Sequence, residues 1–393
     1  MKNPWLGLAS YTEESLKEYG FYGRKDAIAV LKSMIERNLF VTLYGKSGIG
    51  KTSLLQAGVF PLLRLEGMPS VVVRFADCDK GESPAQRDKS KPAVQIFWEE
   101  LLRNLSEHGI SYVPCSRSDV YIPDYSDVMV LRYLFSAGRF LDADGVEKIP
   151  VSVFDQFEEF LYHSPGEAET FMGQIYALID DNCDLSLTHP LWHDDTNFRI
   201  VVSIREDDLF LFEDLIDRFN YLDLKSNRYR LMPLTIVEAR EVVMTPGREL
   251  FEKGREDEVG AKVIALASSE TDGKINTLML SLICTQLFNK YYEKNGTIAL
   301  KNISDLEDII ETFYIAAVKG IPTYQRYYLE DNLVDEHGRR KPIYEADMDL
   351  YAPKLKALAG TTDKRILNIS QGRVELIHDQ LAATIGRLRN GRK

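Results

Sequence analysis

The chain has 393 residues, 45% hydrophobic and 27% charged, a composition typical of globular protein and long enough for two or three domains. Its 60 acidic side chains outnumber the 48 basic ones, and the net charge of −12 argues against a general nucleic-acid or anionic-membrane surface. Four scattered cysteines without a C-x-x-C pair indicate free thiols, and no apolar run resembles a membrane helix or a signal peptide, so a cytoplasmic protein is expected.

An amphipathic helix is predicted over residues 26–37, ahead of the first buried strand. Directly before this helix stands the stretch Phe21-Tyr22-Gly23-Arg24. On residue type alone it is an aromatic pair and a glycine turn that lead into a helix. A role beside an adenine ring depends on the motif that follows.

Residues 45–52 read G-K-S-G-I-G-K-T and fit the phosphate-loop pattern G-x-x-x-x-G-K-[ST] at every fixed position. An apolar run at 39–44 predicts a strand before the loop, and the residues from 53 onward predict a helix after it. Such a loop directs backbone N–H groups at phosphates. The residues expected around the phosphates are Gly45, Ser47, Gly48, Ile49, Gly50, Lys51, Thr52 and Ser53. Lys51 is expected to reach the β- and γ-phosphates, and the Thr52 hydroxyl to bind Mg²⁺.

Beyond the loop, residues 70–75 predict a second buried strand and residues 76–92 a polar surface loop. Helices are predicted over 93–105 and 128–141, with an irregular segment over 106–127 between them.

The strand predicted at 149–154 ends in Asp155-Gln156-Phe157-Glu158-Glu159. An apolar strand that ends in an acid is what Mg²⁺ coordination in a P-loop enzyme requires, so Asp155 is expected to hold the metal directly or through water. Glu158 or Glu159 is expected to polarise the attacking water. On these residues alone, a strand followed by an acidic helix start is an equal alternative, and the phosphate loop favours the metal site.

After a helix at 167–179, residues 180–197 predict a surface loop, in which Pro190 between His189 and His193 argues against zinc. The strand predicted at 198–204 ends at Arg205, a candidate nucleotide sensor. An ion pair of Arg205 with Glu206 or Asp207 is the equal alternative.

Residues 229–232 predict a fifth strand. Strands alternating with helices from 39 to 232 predict a parallel sheet covered on both faces.

From residue 233 onward the pattern is helical, and the predicted helices cover 235–245, 256–269, 275–291 and 303–318. A hairpin is predicted at 365–376 with its turn at Gln371-Gly372. The last predicted helix, 376–388, leads into a basic tail that is expected to be solvated, made of Arg387, Arg389, Arg392 and Lys393.

With these motifs the chain resembles the STAND NTPases (signal-transduction ATPases with numerous domains), especially the bacterial novel-STAND group, over nearly its whole length. Residues 3–8 and 21–24 resemble the N-terminal segment of that group, whose glycine-arginine turn lies beside the adenine. Residues 45–61 are similar to its phosphate loop and following helix, and 155–159 to its Walker B signature, with acids spaced as in NACHT proteins. Ile204-Arg205 resembles its arginine sensor.

Residues 374–379, Val-Glu-Leu-Ile-His-Asp, are similar to the methionine-histidine-aspartate motif in the winged-helix domain of NB-ARC proteins, with Ile377 in place of methionine. The resemblance implies that His378 contacts the β-phosphate of ADP. The segment 273–282 takes the place of a proline-bearing helix that touches adenine in NB-ARC relatives, and it departs from their pattern because it has Thr277 and no proline nearby.

The resemblance implies an α/β P-loop NTPase fold, with a parallel sheet of about five strands and helices on both faces, followed by a helical lid domain and a winged-helix domain. The expected boundaries are an adenine-side segment at 1–38, a nucleotide-binding domain at 39–232, a lid at 233–320 and a winged helix at 321–393. ATP or ADP with Mg²⁺ is the expected cofactor, with Tyr22, Gly23 and Arg24 on the adenine side.

The implied function is a slow, regulatory ATPase that is closed with ADP and forms a homo-oligomer with ATP, in bacterial signalling or antiphage defence. Separate effector or sensor proteins or domains are expected as partners. One alternative is a nucleotide-dependent scaffold or transcription regulator whose winged helix binds DNA, which the charge of −12 disfavours. Another is a small-molecule P-loop kinase, which leaves the helical C-terminal part without a role.

Overall fold

The computed structural model describes residues 2–75, 91–114, 124–180, 198–219, 226–268, 274–303, 306–360, 364–370, 372–377 and 379–392. The chain divides into two compact units, each with its own hydrophobic core. The sheet unit comprises Asp26–Ser47 and Leu54–Leu231, and the helical unit comprises Met1–Lys25, Gly48–Ser53 and Met232–Lys393. The predicted domain boundaries at 38, 232 and 320 stay predictions.

The α-helices of the described residues are α1 Glu13–Tyr19, α2 Lys25–Arg37, α3 Lys51–Ser53, α4 Phe60–Leu65, α5 Ala93–Glu107, α6 Val130–Ser136, α7 Phe157–His163, α8 Pro165–Ile179, α9 Leu209–Asp217, α10 Ile236–Gly247, α11 Glu256–Ala267, α12 Thr277–Leu287, α13 Glu293–Asn295, α14 Leu306–Ala317, α15 Thr323–Asn332, α16 Glu345–Tyr351 and α17 Asp379–Arg392. The strands are β1 Phe40–Gly45, β2 Ser70–Val73, β3 Ser111–Pro114, β4 Gly138–Leu141, β5 Val151–Phe154, β6 Arg199–Arg205, β7 Arg228–Arg230, β8 Ile343–Tyr344, β9 Leu367–Ser370 and β10 Arg373–Leu376. Short 3₁₀ turns cover Glu206–Asp208, Arg248–Leu250, Leu300–Asn302 and Pro353–Ala359, and π-helical turns cover Leu54–Val59 and Phe288–Tyr292.

The sheet unit is built on a five-stranded sheet in the order β2-β5-β6-β1-β7, and every neighbouring pair in it is parallel. This confirms the predicted parallel sheet. All four residues of β5 and five of the seven in β6 are buried, as expected for central strands covered on both faces. Since the strands are parallel, their C-terminal ends share one edge, where Gly45 lies opposite Arg205 in the ladder.

The helix after the phosphate loop is not uniform, because α3 passes into the π-helical turn Leu54–Val59 before α4 begins. Pro61, near the start of α4, has no N–H to donate to the carbonyl of Ala57. A missing i to i−4 donor favours a widened turn at this place, and such turns occur often at functional sites.

The segment between α5 and β5 differs from the prediction. The helix predicted over 128–141 ends at Ser136, and residues 138–141 form β4, which pairs antiparallel with β3 inside the segment predicted to be irregular. The Tyr112 ring lies against Gly138, where a side chain would overlap it, and its hydroxyl donates to the carbonyl of Leu134 at 2.7 Å. Contact between these distant residues replaces the last helical turn.

In the helical unit, the N-terminal segment packs among the helices that follow residue 232. Trp5 is 3% exposed, and its indole N–H donates to the carbonyl of Val242 at 3.2 Å. The ring lies against Gly247, where a side chain would overlap it, and Ser281 donates to the carbonyl of Gly7. The segment is therefore an integral part of this core.

The predicted hairpin near the C-terminus is confirmed, since β9 and β10 pair antiparallel. Strand β8 adds a third antiparallel strand beside β10. The Gln371 part of the predicted turn lies outside the described residues.

The prediction of a solvated basic tail was wrong for Arg389 and Arg392. Arg389 is 8% exposed and donates to the backbone carbonyls of Val334 at 2.8 Å and Asp335 at 2.7 Å. Arg392 donates to Glu330 and Asp331, each at 2.7 Å. These carbonyls and carboxylates lie at and just beyond the C-terminal end of α15, where a helix attracts cations.

Arg392 belongs to a buried polar group centred on Glu330, which is 1% exposed. One Glu330 oxygen accepts from the Tyr314 hydroxyl at 2.8 Å and from Arg326 at 2.7 Å, and the other accepts from Arg392. We call Tyr314, Arg326, Glu330 and Arg392 the Glu330 cluster. It ties together α14, α15 and α17.

Within the described residues, no helix combines the length and the apolar character needed to cross a membrane. Cys284 is a buried free thiol whose pKa is raised by burial. The other three cysteines, together with His189 and His193, lie outside the described residues.

Candidate functional site

The phosphate-loop motif occupies the turn between β1 and α3. Gly50 has a φ of 99°, which is strained for any residue with a side chain. A Cβ placed on Gly50 would meet nothing within 4 Å, so there is room beside the backbone at this point. Lys51 and Thr52, both half-buried, open α3. A loop of this kind between a strand and a helix start binds anions through its backbone N–H groups.

The loop is shared between the two units, with Gly45–Ser47 in the sheet unit and Gly48–Ser53 in the helical unit. Within the helical unit, the Ser53 hydroxyl accepts from the backbone N–H of Tyr11 at 3.0 Å.

Arg24, predicted on the adenine side, is 6% exposed and bonds to three chain segments of the helical unit. It donates to the carbonyl of Met232 at 2.7 Å, to the carbonyl of Ile49 at 3.1 Å and to the Thr277 hydroxyl at 3.5 Å. Thr277, the first residue of α12, is thus an acceptor for Arg24. One guanidinium joins the N-terminal segment, the phosphate loop and the start of α12.

The turn before Arg24 is equally well held. A Cβ on Gly23 would lie 2.6 Å from the carbonyl oxygen of Glu238, so α10 approaches the backbone too closely for any other residue. Tyr22 is half-buried, with its ring beside Gly20. Close packing of α10 against this turn therefore fixes the position of the backbone that carries the Arg24 side chain.

In the sheet unit, Asp155 follows β5 at the C-terminal edge and is 3% exposed. Its Oδ2 accepts from Arg74, at 2.6 Å from Nη2 and 3.2 Å from Nε. Sequence reasoning did not identify Arg74. The available signal was its position, since Arg74 follows β2 just as Asp155 follows β5.

Glu158 and Glu159 lie in the first turn of α7 but in different surroundings. Glu158 is 4% exposed, and its carboxylate accepts from the backbone N–H of Arg205 at 3.2 Å. Glu159 is half-buried. Ahead of both, Gln156 has a left-handed backbone with a φ of 56°, the one positive φ outside glycine among the described residues.

Arg205, at the tip of β6, is half-buried and forms ion pairs within its own turn. Its Nη2 lies 3.5 Å from Asp207 and its Nε 3.7 Å from Asp208, while the Tyr162 hydroxyl donates to Asp208 at 2.9 Å. Of the two predicted pairs, the one with Asp207 is present, whereas Glu206 pairs with Arg230. Arg205 therefore lies at the strand tip, as a nucleotide sensor would, and also forms the local ion pair that was the alternative prediction.

The sequence predicts oxygen ligands of the kind that suit a hard cation. A threonine hydroxyl and a carboxylate are what Mg²⁺ takes alongside phosphate oxygens, and the sequence places these groups at Thr52 and Asp155. The described residues contain no group of three or more His, Cys, Asp or Glu side chains that could hold a metal ion by themselves. His378 lies outside the described residues, between the end of β10 and the start of α17.

Comparison with known proteins gives one match at the level of families. The model of the family described as novel STAND NTPase 1 matches residues 4–391. A search of curated proteins finds no match.

The solved structures that the comparison finds include the Walker-type ATPase PABY2304 of Pyrococcus abyssi, 14% identical, with a TM-score of 0.48 and coverage of 96% of this chain and 98% of that one. The Aeropyrum pernix ORC1 protein, solved in complex with DNA, is 14% identical with a TM-score of 0.44 over 100% of both chains. The ORC2 protein of the same organism is 12% identical with a TM-score of 0.46 over 94% of each chain.

Proposed function

Because the chain belongs to the novel STAND NTPase 1 family, we propose that it is a molecular switch that binds ATP or ADP and hydrolyses ATP slowly. One observation carries the switch part of the proposal. The helical unit holds the apex of the phosphate loop through the Arg24 bonds to Ile49, Met232 and Thr277. A change in the loop on nucleotide binding is therefore passed directly to residues outside the sheet unit.

In this proposal the loop backbone and Lys51 bind the phosphates, while Thr52 and Asp155 hold Mg²⁺. The metal, when bound, neutralises charge on the transferred phosphoryl group. Tyr22 and Arg24 lie on the adenine side, and Arg205, level with Gly45 in the ladder, senses the terminal phosphate.

We assign different roles to the two acids of α7. Glu158 is buried and already accepts the backbone N–H of Arg205, so it positions the sensor strand. Glu159 is half-buried and polarises the attacking water. Single Glu→Gln replacements, assayed for hydrolysis and for Mg²⁺-ATP binding, separate these roles, because loss of turnover with binding retained is expected most strongly for Glu159→Gln.

The conformational cycle is proposed from the family resemblance. ADP holds the closed state, with His378 of a winged-helix domain on its β-phosphate. ATP releases that domain and exposes a surface for self-association. A nucleotide can shift such an equilibrium only by its differential affinity for the two states. The biological setting proposed is bacterial signalling or defence, with separate effector and sensor partners.

The test is ATP binding by the full chain with Lys51→Ala and the matched control Lys46→Ala. Lys46 lies in the same loop and is exposed, but the motif leaves its position free. Lys51→Ala is expected to weaken ATP binding more than about 100-fold, because a charge-assisted phosphate contact is lost. Lys46→Ala is expected to bind as the unchanged protein does. Equal affinities for all three proteins would refute the site, and masses measured with ADP and with ATP test the proposed oligomer.

A further inference from the structure

We infer that Arg74 is a positioning residue that holds the Asp155 carboxylate until Mg²⁺ replaces it, so that metal binding and release of Arg74 are coupled. This inference rests on the proposed ATP site. It adds to that site a residue that controls when the metal can enter.

The strand order places the two residues together. β2 and β5 are parallel neighbours, with Val73 opposite Phe154, and Arg74 and Asp155 are the next residue of each strand's chain. The backbone N–H of Asp155 donates to the carbonyl of Val73 at 3.1 Å, which extends the ladder by one bond. The Arg74 guanidinium then reaches Oδ2 of Asp155 through two of its nitrogens. The pairing is thus built into the register of the sheet.

Burial explains why the Asp155 carboxylate needs a cation beside it. The Asp155 side chain is 2% exposed, and an ionised carboxylate at such a place is unfavourable without a cation beside it. Arg74 supplies that cation before any metal is present. Its own side chain is 31% exposed, so the guanidinium can turn toward water without being desolvated again.

Mg²⁺ and Arg74 compete for the same carboxylate. The metal binds carboxylate oxygens at about 2.0–2.1 Å. A guanidinium that stayed 2.6 Å from Oδ2 would then be repelled by the divalent cation. Binding of either cation therefore weakens binding of the other, and linkage makes the effect reciprocal. Asp155 therefore exchanges Arg74 for Mg²⁺ only when Mg²⁺ is present at sufficient concentration together with nucleotide.

The experiment compares Arg74→Gln with Arg228→Gln. Arg228 is a matched control, because it also lies on a strand of the sheet, pairs with a carboxylate (Glu213) and is 25% exposed. Magnesium chloride is titrated into full-length protein with a fluorescent ATP analogue, and thermal unfolding is measured in EDTA without nucleotide and again with Mg²⁺-ATP. Arg74→Gln is expected to lower the half-saturating Mg²⁺ concentration by about 5- to 150-fold.

The same variant is expected to unfold about 2–6 °C lower than the unchanged protein in EDTA and at an equal temperature with Mg²⁺-ATP. Arg228→Gln is expected to leave the Mg²⁺ dependence unchanged. An unchanged or raised Mg²⁺ requirement in Arg74→Gln overturns the inference, as does an equal loss of stability in both conditions. If Arg74→Gln does not fold, Arg74→Lys, which keeps the charge with fewer donors, is measured in its place; it must still lower the half-saturating Mg²⁺ concentration relative to the unchanged protein, and an unchanged value overturns the inference. Failure of the unchanged protein to bind the analogue at any Mg²⁺ concentration refutes the proposed function itself.

Discussion

Asp155 in the sheet unit and Glu330 in the helical unit are both buried carboxylates paired with arginine, and their surroundings differ. Glu330 lies within a regular helix and accepts from a tyrosine hydroxyl and two arginines on both of its oxygens. Asp155 lies at a strand end, directly before the strained Gln156, and faces an arginine that is partly in water.

Burial alone therefore does not distinguish a structural acid from one that we propose to bind a metal. A carboxylate bonded from three helices stabilises their packing and has little freedom to accept a new partner. A carboxylate at a strand tip, beside backbone strain and a movable cation, can exchange that cation for a metal. Experiments that affect one acid and not the other test this distinction.

The largest expected effect is on stability, from Glu330→Gln. Removing the charge weakens three hydrogen bonds to the carboxylate, from the Tyr314 hydroxyl, Arg326 and Arg392, and since each bond to a charged group contributes about 1.5–3 kcal/mol, we expect a total loss of about 3–5 kcal/mol. Urea unfolding measures it. Asp331→Asn is the control, because Asp331 also pairs with Arg392 but is 49% exposed, and a loss below about 1 kcal/mol is expected. Where the Glu330 variant is folded, its ATP affinity should be unchanged, and a large loss of affinity would contradict the structural role.

Asp155→Asn should have a large effect on ATP hydrolysis and a small effect on stability. Mg²⁺-dependent ATP hydrolysis is expected to fall more than about 100-fold, because Asp155 is the carboxylate that we propose as a metal ligand. Stability should fall by less than about 1 kcal/mol, since Arg74 can turn to water and asparagine keeps the shape. Asp257→Asn serves as the control, because Asp257 also pairs with an arginine, Arg240, but is 58% exposed and lies outside the proposed site. A stability loss as large as that of Glu330→Gln with hydrolysis intact would invalidate the comparison.

Tyr314→Phe tests the Glu330 cluster through pH. Burial, and next the charge of Glu330, raise the pKa of Tyr314 above its ordinary value near 10. Because the folded pKa is the higher one, the stabilisation is complete below pH 10 and is lost as the pH rises above it. The variant should lose roughly 2 kcal/mol at pH 8, the value of a hydrogen bond to a charged group, and less above pH 10. If the difference in unfolding free energy between Tyr314→Phe and the unchanged protein does not shrink above pH 10, ionisation of Tyr314 does not cause the loss of stability at alkaline pH.

The smallest expected effect comes from Gln156→Gly. A left-handed backbone is unfavourable for glutamine, and glycine relieves it at some cost in unfolded-state entropy. We expect a gain of up to about 1 kcal/mol in the free energy of unfolding. Gln174→Gly, in the middle of α8, is the contrasting control and should be destabilising. A loss of stability in Gln156→Gly would show that the glutamine side chain, rather than the backbone, matters there.

The parallel sheet and the phosphate loop were predictable because their signals are local. Apolar runs mark the strands, and the motif at 45–52 carries its meaning within eight letters. The pairing of Tyr112 with Gly138 was not predictable in the same way, because neither residue signals a partner elsewhere in the chain.

The same limit applies to the charged residues. Arg74 and Asp155 meet only because β2 and β5 are neighbours, which is a property of strand order. Arg389 and Arg392 read as a solvated basic end, and only the folded position of α15 shows that its terminal carbonyls and acids accept them. Composition indicates that a charge can be solvated, and tertiary packing decides whether it is.

Arg24 has a further consequence for how information passes through the molecule. A guanidinium is flat and rigid, with donors at fixed angles. Its bonds to Ile49, Met232 and Thr277 therefore form together only when three separate stretches of backbone are in register. A shift of any one of these stretches therefore breaks or distorts at least one of the three hydrogen bonds.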